Sequence, residues 1–161
     1  MIFQELVHFA LAVALSVSGG SATIPDVPPQ ALVTEVSSVS QEEIALIALV
    51  TMGEAEGESE LGKRLVIDTI LNRVDSDKFP NTIHEVVYQP HQFSVMWNDR
   101  LKRCYVRDDI CQLVREELNS RTNEDVIFFT AGTYSRYGQP LFQVGNHYFS
   151  SKARKDGVCH A

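Results

Sequence analysis

Several chemistries are disfavoured by what this 161-residue sequence lacks. Its 21 acidic residues outnumber 14 basic ones, and the net charge of −7 leaves no surplus of Lys and Arg to bind nucleic-acid phosphates. Its three cysteines form no CxxC pair, and no HExxH motif or EF-hand spacing is present, which disfavours a zinc or calcium site and a metallopeptidase. We expect neither a metal nor another cofactor.

The apolar segment near the start of the chain is too short to span a membrane. Residues 6–17 are almost entirely apolar, whereas a membrane-spanning helix needs about 20 apolar residues. The length fits a signal peptide, and Gly20 and Ala22 supply small residues for cleavage before Thr23. The basic start of such a peptide is missing, since the preceding residues carry Glu5 and no Lys or Arg. We expect secretion to the cell envelope or beyond, or alternatively an apolar helix that stays on the protein or anchors it.

Composition divides the chain into three parts. Residues 1–22 are the signal peptide or apolar segment, and residues 23–39 form a linker in which three prolines oppose a helix. Residues 40–155 have the periodicity of one folded domain, with helices first and a small β element last. We therefore expect an α+β protein, mostly helical with a small C-terminal antiparallel β element, and a monomer.

Capping signals predict where the helices begin. Ser40–Glu43 has the pattern of a capping box, and the helix that it opens is expected to end in the segment from Gly53 to Gly57. A second helix is predicted over 61–74. Thr82 begins a short third helix with another capping box, and Asp108 or Asp109 caps a fourth.

The period at which apolar residues recur changes after the fourth helix. Residues 126–129 predict a buried strand, and the alternation over 142–149 predicts a second one. Residues 131–133 and 137–140 supply turn chemistry between them. On a strand over 142–149, Asn146 and His147 would point to opposite faces, so at most one of them could face a cleft.

Three cysteines leave the disulfide state open. On a continuous helix Cys104 and Cys111 would be two turns apart, about 10 Å along the axis, which is too far for a disulfide. They could pair only if Cys104 lies in the preceding loop, and Cys159 is the third candidate.

One acidic residue lies on the apolar face of the first predicted helix. Ile44, Ile47, Val50 and Glu54 recur with helical spacing, which places a carboxyl group on the stripe that the core should bury. An apolar surrounding disfavours the charged form, so this carboxyl should keep a proton near neutral pH, as a general acid must. The alternative is that Glu54 turns outward as part of a solvated acidic loop.

Three segments together resemble one family. They are MGEAEGESELGKRLVIDTILNRV (52–74), FPNTIHEVVYQPHQFS (79–94) and VGNHYFS (144–150). Their order and spacing are similar to those of the SleB-like cell wall hydrolases, the spore cortex-lytic group, over about residues 40–150. The resemblance implies a lysozyme-like, mostly helical fold acting on peptidoglycan, and it implies that Glu54, the first Glu of the GEA-x-GE motif, is the catalytic acid. Glu56 departs from the family, in which Arg is common at this position.

A mechanism follows from the resemblance and from the chemistry of glycosides. Glu54 would protonate the glycosidic oxygen between N-acetylmuramic acid and N-acetylglucosamine. Ionised Glu54 could then take the proton of the muramic C6 hydroxyl and give a 1,6-anhydro product, which is lytic transglycosylation. The alternatives are a hydrolytic muramidase with a second carboxylate, or an inactive glycan-binding wall protein. Glu58 would lie over Glu54 if the helix continued past Gly57.

Further side chains are candidates for substrate contact. Glu58 is expected to orient the substrate or to hold the motif together, and Gln92 to hydrogen-bond an N-acetyl group. Phe93 could stack on a sugar together with Trp97, although a lone Trp is more often a core residue. His147 is a candidate site residue or else a sheet histidine. Two tyrosines could line the glycan groove: Tyr134 and Tyr137.

Overall fold

The computed structural model describes residues 39–152. The helices are α1 (Gln41–Ala55), α2 (Glu60–Val74), α3 (Ile83–Val87) and α4 (Asp108–Asn119). Two short 3₁₀ turns, Ser94–Trp97 and Leu101–Arg103, lie between α3 and α4. Three strands follow: β1 (Val126–Ala131), β2 (Gly138–Val144) and β3 (His147–Lys152). The predicted signal peptide, the linker up to residue 38 and Cys159 lie outside the described residues.

The capping signals located the helices well. Ser40 and Glu43 form the predicted capping box, with the Glu43 N–H donating to Ser40 Oγ at 3.2 Å and the Ser40 N–H donating to Glu43 Oε2 at 2.8 Å. Thr82 caps α3, but there the Glu85 carboxylate bonds the Thr82 hydroxyl instead of the backbone. The predicted cap of α4 is wrong. Asp108 begins the helix itself, and the capping position is held by Arg107.

Helix α1 is the central element of the helical core. It contacts α2, α3 and α4, and most of its length from Ile44 to Ala55 is buried, which is why apolar residues occur on nearly every side of it. Helix α2 contacts both the helical core and β1, and so connects the two parts of the domain. Within residues 39–152, no helix is both long and apolar enough to cross a membrane.

The three strands form one antiparallel sheet in the order β1–β3–β2. The prediction of a single strand over 142–149 is wrong, because the chain reverses at Gly145 and Asn146 between β2 and β3. Gly145 has φ 57°, a left-handed conformation that favours glycine. The predicted turn at 137–140 is also wrong, since Gly138 already begins β2. Pro140 is tolerated there because β2 is an edge strand of this sheet.

A buried group of charges joins α2 to α4. The Arg64 guanidinium donates to the Glu117 carboxylate at 2.7 Å, and the Asn123 N–H donates to Asp68 Oδ2 at 2.8 Å. Burial and the neighbouring Glu117 raise the pKa of Asp68 well above its usual range. Burial is the largest single influence on Glu117 and acts in the same direction, but the hydrogen bonds from Arg64, Asp68 and Thr122 together outweigh it and lower the pKa of Glu117. Asp68 therefore keeps the proton of this carboxyl pair.

Both described cysteines are free thiols. Cys104 lies in the loop before α4, as a disulfide to Cys111 would have required, yet the two are unpaired. Burial raises the pKa of the Cys111 thiol.

Candidate active site

Glu54 lies in the last turn of α1, half-buried, with its carboxylate held by the segment that follows α3. The Val95 N–H donates to Oε1 at 2.7 Å. The Ser94 hydroxyl lies 3.1 Å from Oε1 and 3.2 Å from Oε2. These bonds join residues about 40 positions apart and fix the carboxyl in one orientation.

A glycine allows this contact. A Cβ atom at Gly53 would lie 2.1 Å from Cγ2 of the buried Val95 side chain, so any larger residue would push the 94–97 turn away from α1. The absence of a side chain at Gly53 thus sets the distance between Glu54 and its backbone donor.

The surroundings of Glu54 are more polar than the helical spacing predicted. Val95 is an apolar neighbour, but the same segment supplies an N–H and a hydroxyl, and the Glu54 side chain is only half-buried. A carboxyl oxygen accepts a hydrogen bond from an N–H through a lone pair that carries no proton. Oε1 accepts the Val95 N–H, whereas Oε2 has only the Ser94 hydroxyl beside it, which leaves Oε2 more open to a ligand.

Glu58 does not continue the helix of Glu54. Helix α1 ends at Ala55, and Glu58 reaches across to the turn between β2 and β3. Its carboxylate accepts hydrogen bonds from the Asn146 backbone N–H at 3.3 Å and from Asn146 Nδ2 at 3.0 Å. The expectation that Asn146 lies on a strand is therefore wrong, and Glu58 is the residue that ties the GEA-x-GE segment to the GNH segment.

A groove of about 680 Å³ has one wall in the segment that leads into this site, and Glu54 is not among its described lining residues. Three of the predicted contact residues line it, namely Gln92, Tyr134 and Tyr137. Gln92 is two positions before Ser94, so the segment that forms one wall of the groove continues directly into the segment that holds Glu54. The remaining lining residues are Arg73, Phe79, Gln89, His91, Phe128, Phe129, Thr130, Thr133, Ser135 and Arg136.

Two of the predicted contacts, Phe93 and His147, do not line the groove, because their side chains are buried beneath it. Phe93 is 0% exposed and packs against Phe129 with ring centroids 6.1 Å apart, so it supports the groove from below and cannot stack on a sugar. His147 is 8% exposed and lies 5.0 Å from the Phe129 ring, again beneath the groove. Trp97, which was expected in the core, is 53% exposed and lies 6.4 Å from His91.

Sequence reasoning missed the partners of Glu54 and one buried cation. Ser94 and the Val95 N–H are invisible to periodicity because they come from a distant, irregular segment. Arg73 did leave a signal, since it shares a helical face with Val66 and Ile70, both fully buried. A charged residue on that stripe indicates a special environment.

Fold and site together define an α+β domain that holds an oriented carboxyl next to a groove-lining segment, and comparison with known proteins specifies the family. A family model for cell wall hydrolases matches residues 57–150, more than half of the chain, so the protein belongs to the cell wall hydrolase family. The match begins three residues after Glu54. The resemblance to SleB-like cell wall hydrolases is thereby confirmed, and the relatives described below support it.

Curated relatives include spore cortex-lytic enzymes of two Bacillus species. The enzyme of Bacillus cereus is 42% identical over 80 residues, which are 49% of this chain and 30% of the relative. That of Bacillus subtilis is 28% identical over 120 residues, 68% of this chain and 38% of the relative. This chain thus spans about a third of the length of these relatives.

Two solved structures share the fold. The catalytic domain of the Bacillus cereus SleB protein aligns with a TM-score of 0.64 at 26% identity, covering 71% of this chain and 94% of that one. The catalytic domain of SleB from Bacillus anthracis, described as a germination-specific lytic transglycosylase, aligns with a TM-score of 0.62 at 25% identity, covering 71% and 98%. The expected α+β, lysozyme-like fold is confirmed.

Proposed function

We propose that this protein degrades peptidoglycan in the cell envelope, by cleaving glycan strands between N-acetylmuramic acid and N-acetylglucosamine. The observation that carries the proposal is the Glu54 carboxyl, oriented by the Val95 N–H and Ser94 at the end of a segment that lines the groove. Membership of the cell wall hydrolase family supports the substrate class.

Glu54 acts first as an acid. Its Oε2 donates a proton to the glycosidic oxygen, the bond from that oxygen to the anomeric carbon of muramic acid breaks, and an oxocarbenium-like centre develops. The hydrogen bond from the Val95 N–H stabilises the carboxylate that this transfer leaves behind.

Glu54 then acts as a base. The ionised carboxylate takes the proton of the muramic C6 hydroxyl, and O6 bonds to the anomeric carbon to give a 1,6-anhydro ring. The proton lost in the first step is regained in the second, and no water enters the product. This is a lytic transglycosylase reaction with one catalytic residue.

The neighbouring carboxylates favour this version over hydrolysis. A hydrolase needs a second carboxylate free to act as nucleophile or base. Glu58 already accepts hydrogen bonds from Asn146, and the exposed Glu56 extends towards the Arg100 guanidinium at 3.5 Å.

The test compares wild type with Glu54→Gln on purified cell wall and spore cortex, followed by turbidity. Loss of a general acid typically costs 10²- to 10⁴-fold in rate, so we expect the variant to lose about a hundredfold or more. Glu56→Gln is the matched control, an exposed carboxylate two residues away that should keep full activity. Equal thermal melts for the variants would confirm that the fold is intact.

Product mass separates the two reactions. Anhydromuramic ends, lighter than reducing ends by one water, support the transglycosylase. Reducing-end muramic acid alone would assign the protein to the hydrolytic alternative and direct attention to Glu58. Undiminished lysis by Glu54→Gln would overturn the proposal, and binding of glycan without any cleavage by wild type would identify an inactive binding protein.

A further inference from the structure

One cation beneath the groove lacks a counterion among the described residues. Arg73 lies in the last turn of α2 and is only 3% exposed. Its Nε donates to the Ile127 carbonyl at 2.8 Å. Three aromatic rings surround the guanidinium at 5.0 to 5.6 Å from its carbon, those of Phe79, Phe93 and Phe128. These contacts hold the group in one place in the wall of the groove.

The charge of Arg73 is not compensated within residues 39–152. It forms no ion pair there, and its Nη1 is buried without a hydrogen-bond partner. Arg64 on the same helix shows the contrast, since it contacts the carboxylates of Glu60, Glu116 and Glu117. Burial lowers the pKa of Arg73 to about 10, which leaves it charged at neutral pH. A buried charge with an unpaired N–H is costly, so the site is arranged to receive an acceptor.

The lining of the groove has the opposite charge from the protein as a whole. Arg73 and Arg136 both line it, and none of its lining residues within 39–152 is Asp or Glu, although the chain carries a net charge of −7. Aromatic side chains flank the two cations. An anion that is attached to an uncharged sugar ring matches this lining better than a free multivalent anion does, because the ring can cover the aromatic faces.

We propose that Arg73 binds a carboxylate of the glycan strand in this groove. Since Nε is engaged by Ile127 and Nη1 is buried without a partner, the terminal nitrogens are the donors left for an acceptor, and two parallel N–H donors match the two oxygens of a carboxylate. The ligand is the lactyl carboxyl of muramic acid or a carboxyl of the peptide that it bears. The inference rests on the proposed function and assigns the residue that selects which bond reaches Glu54.

Selection follows from the alternation of the substrate. Muramic acid carries a lactyl group and N-acetylglucosamine does not, so a carboxylate site occurs at every second sugar. A strand held by Arg73 is therefore fixed in one of its two registers, and only one of the two alternating glycosidic bonds is presented to the acid. Arg73 is a substrate-binding residue in this scheme and moves no proton.

The experiment changes the charge of the ligand and leaves the protein intact. Binding to Glu54→Gln, which should not turn over substrate, is measured by calorimetry with three tetrasaccharides of alternating N-acetylglucosamine and muramic acid. One has free lactyl carboxylates, one has lactyl carboxamides, and the third bears peptides and is prepared in two forms, with its peptide carboxyls either free or amidated. We expect amidation of the recognised carboxyl to weaken binding at least tenfold. If affinity falls on amidation of the lactyl group, the recognised carboxylate is the lactyl one. If it falls on amidation of the peptide, the recognised carboxylate belongs to the peptide.

A variant of the protein then tests whether Arg73 causes the difference in binding between the carboxylate and carboxamide ligands. Arg73→Gln in the same background should bind the carboxylate and carboxamide forms alike, whereas Arg115→Gln, an exposed arginine of α4 outside the groove, should keep the discrimination. If Arg73→Gln does not fold, the ligand series still decides. Binding that changes less than twofold on amidation of either source, or no binding of any fragment, overturns the inference.

Failure of this inference is distinguishable from failure of the proposed function. Wall lysis that requires Glu54 but ignores amidation removes the role of Arg73 alone. Lysis that survives Glu54→Gln removes the proposed mechanism, while the carboxylate preference in binding remains measurable.

Discussion

The Glu58 carboxylate and the turn between β2 and β3 form a contact whose strength can be tested through a glycine. A Cβ atom placed on Gly145 would lie 1.7 Å from Oε2 of Glu58. The carboxyl is the mobile end of its side chain, so it would swing away and give up its hydrogen bonds to Asn146. Gly145→Ala therefore removes this contact without changing any of the groups that form it.

The expected loss has two parts. The left-handed conformation, φ 57°, costs an alanine about 1–2 kcal/mol. Hydrogen bonds to a charged group are worth about 1.5–3 kcal/mol when buried, and we take about 1–2 kcal/mol here because Glu58 is only half-buried. The variant should thus lose about 2–4 kcal/mol of unfolding free energy.

Gly132 supplies the matched control. It also has a positive φ, 82°, but a Cβ atom there meets nothing within 4 Å. Gly132→Ala should therefore cost only the backbone part, about 1–2 kcal/mol. The two variants should differ in melting temperature by about 4–8 °C for a domain of this size, as measured by circular dichroism or calorimetry.

A double-mutant cycle isolates the contact. In a Glu58→Ala background there is no carboxylate to displace, so Gly145→Ala should cost no more than Gly132→Ala does. The reasoning would be refuted if Gly145→Ala and Gly132→Ala lost equal free energy of unfolding in the wild-type background. It would also be refuted if Gly145→Ala cost as much in the Glu58→Ala background as in wild type.

Two further predictions concern α1 and the buried carboxyl pair. Gly53→Ala should lose about 1–3 kcal/mol in denaturant unfolding and reduce wall lysis, because its Cβ displaces Val95, the backbone donor to Glu54. A Cβ atom at Gly57 would have nothing within 4 Å, so Gly57→Ala should keep both its stability and its lytic activity. The raised pKa of Asp68 means that the folded state keeps a proton that the unfolded state releases, so wild-type stability should fall as pH rises from about 5 through neutral, by up to about 1.4 kcal/mol per pH unit. Asp68→Asn should flatten that slope in urea titrations, and parallel slopes would contradict the assignment of the proton.

The helical half of the fold was largely predictable. The capping box at Ser40 and the second helix were located to within a residue, since both depend on neighbours three or four positions away. The prediction of a single strand over 142–149 failed because the alternating side-chain pattern of this segment continues through a two-residue turn. The Gly-Asn pair inside it was the signal for that turn, and the hydrophobic pattern outweighed it.

The site was predictable in part. Periodicity and the three family segments both pointed to Glu54, and the structure provides it with an oriented carboxyl next to a groove-lining segment. Burial of aromatic residues was not predictable, because Phe93 and Trp97 lie only four positions apart and have opposite exposures. Which of the two faces solvent depends on strands and turns that pack against their segment from far along the chain.

The sequence by itself determined the helices and the family and singled out the acidic residue Glu54, because each depends on short-range spacing or on contiguous motifs. Tertiary structure alone decided what surrounds that acid: Ser94 and Val95 reach Glu54 from about 40 residues away, and Asn146 reaches Glu58 from 88 away. Within the part of the chain that the structure describes, it also left Arg73 without a counterion under the groove. Hydrogen bonds and charge compensation depend on distances in space, and local spacing along a chain does not contain them.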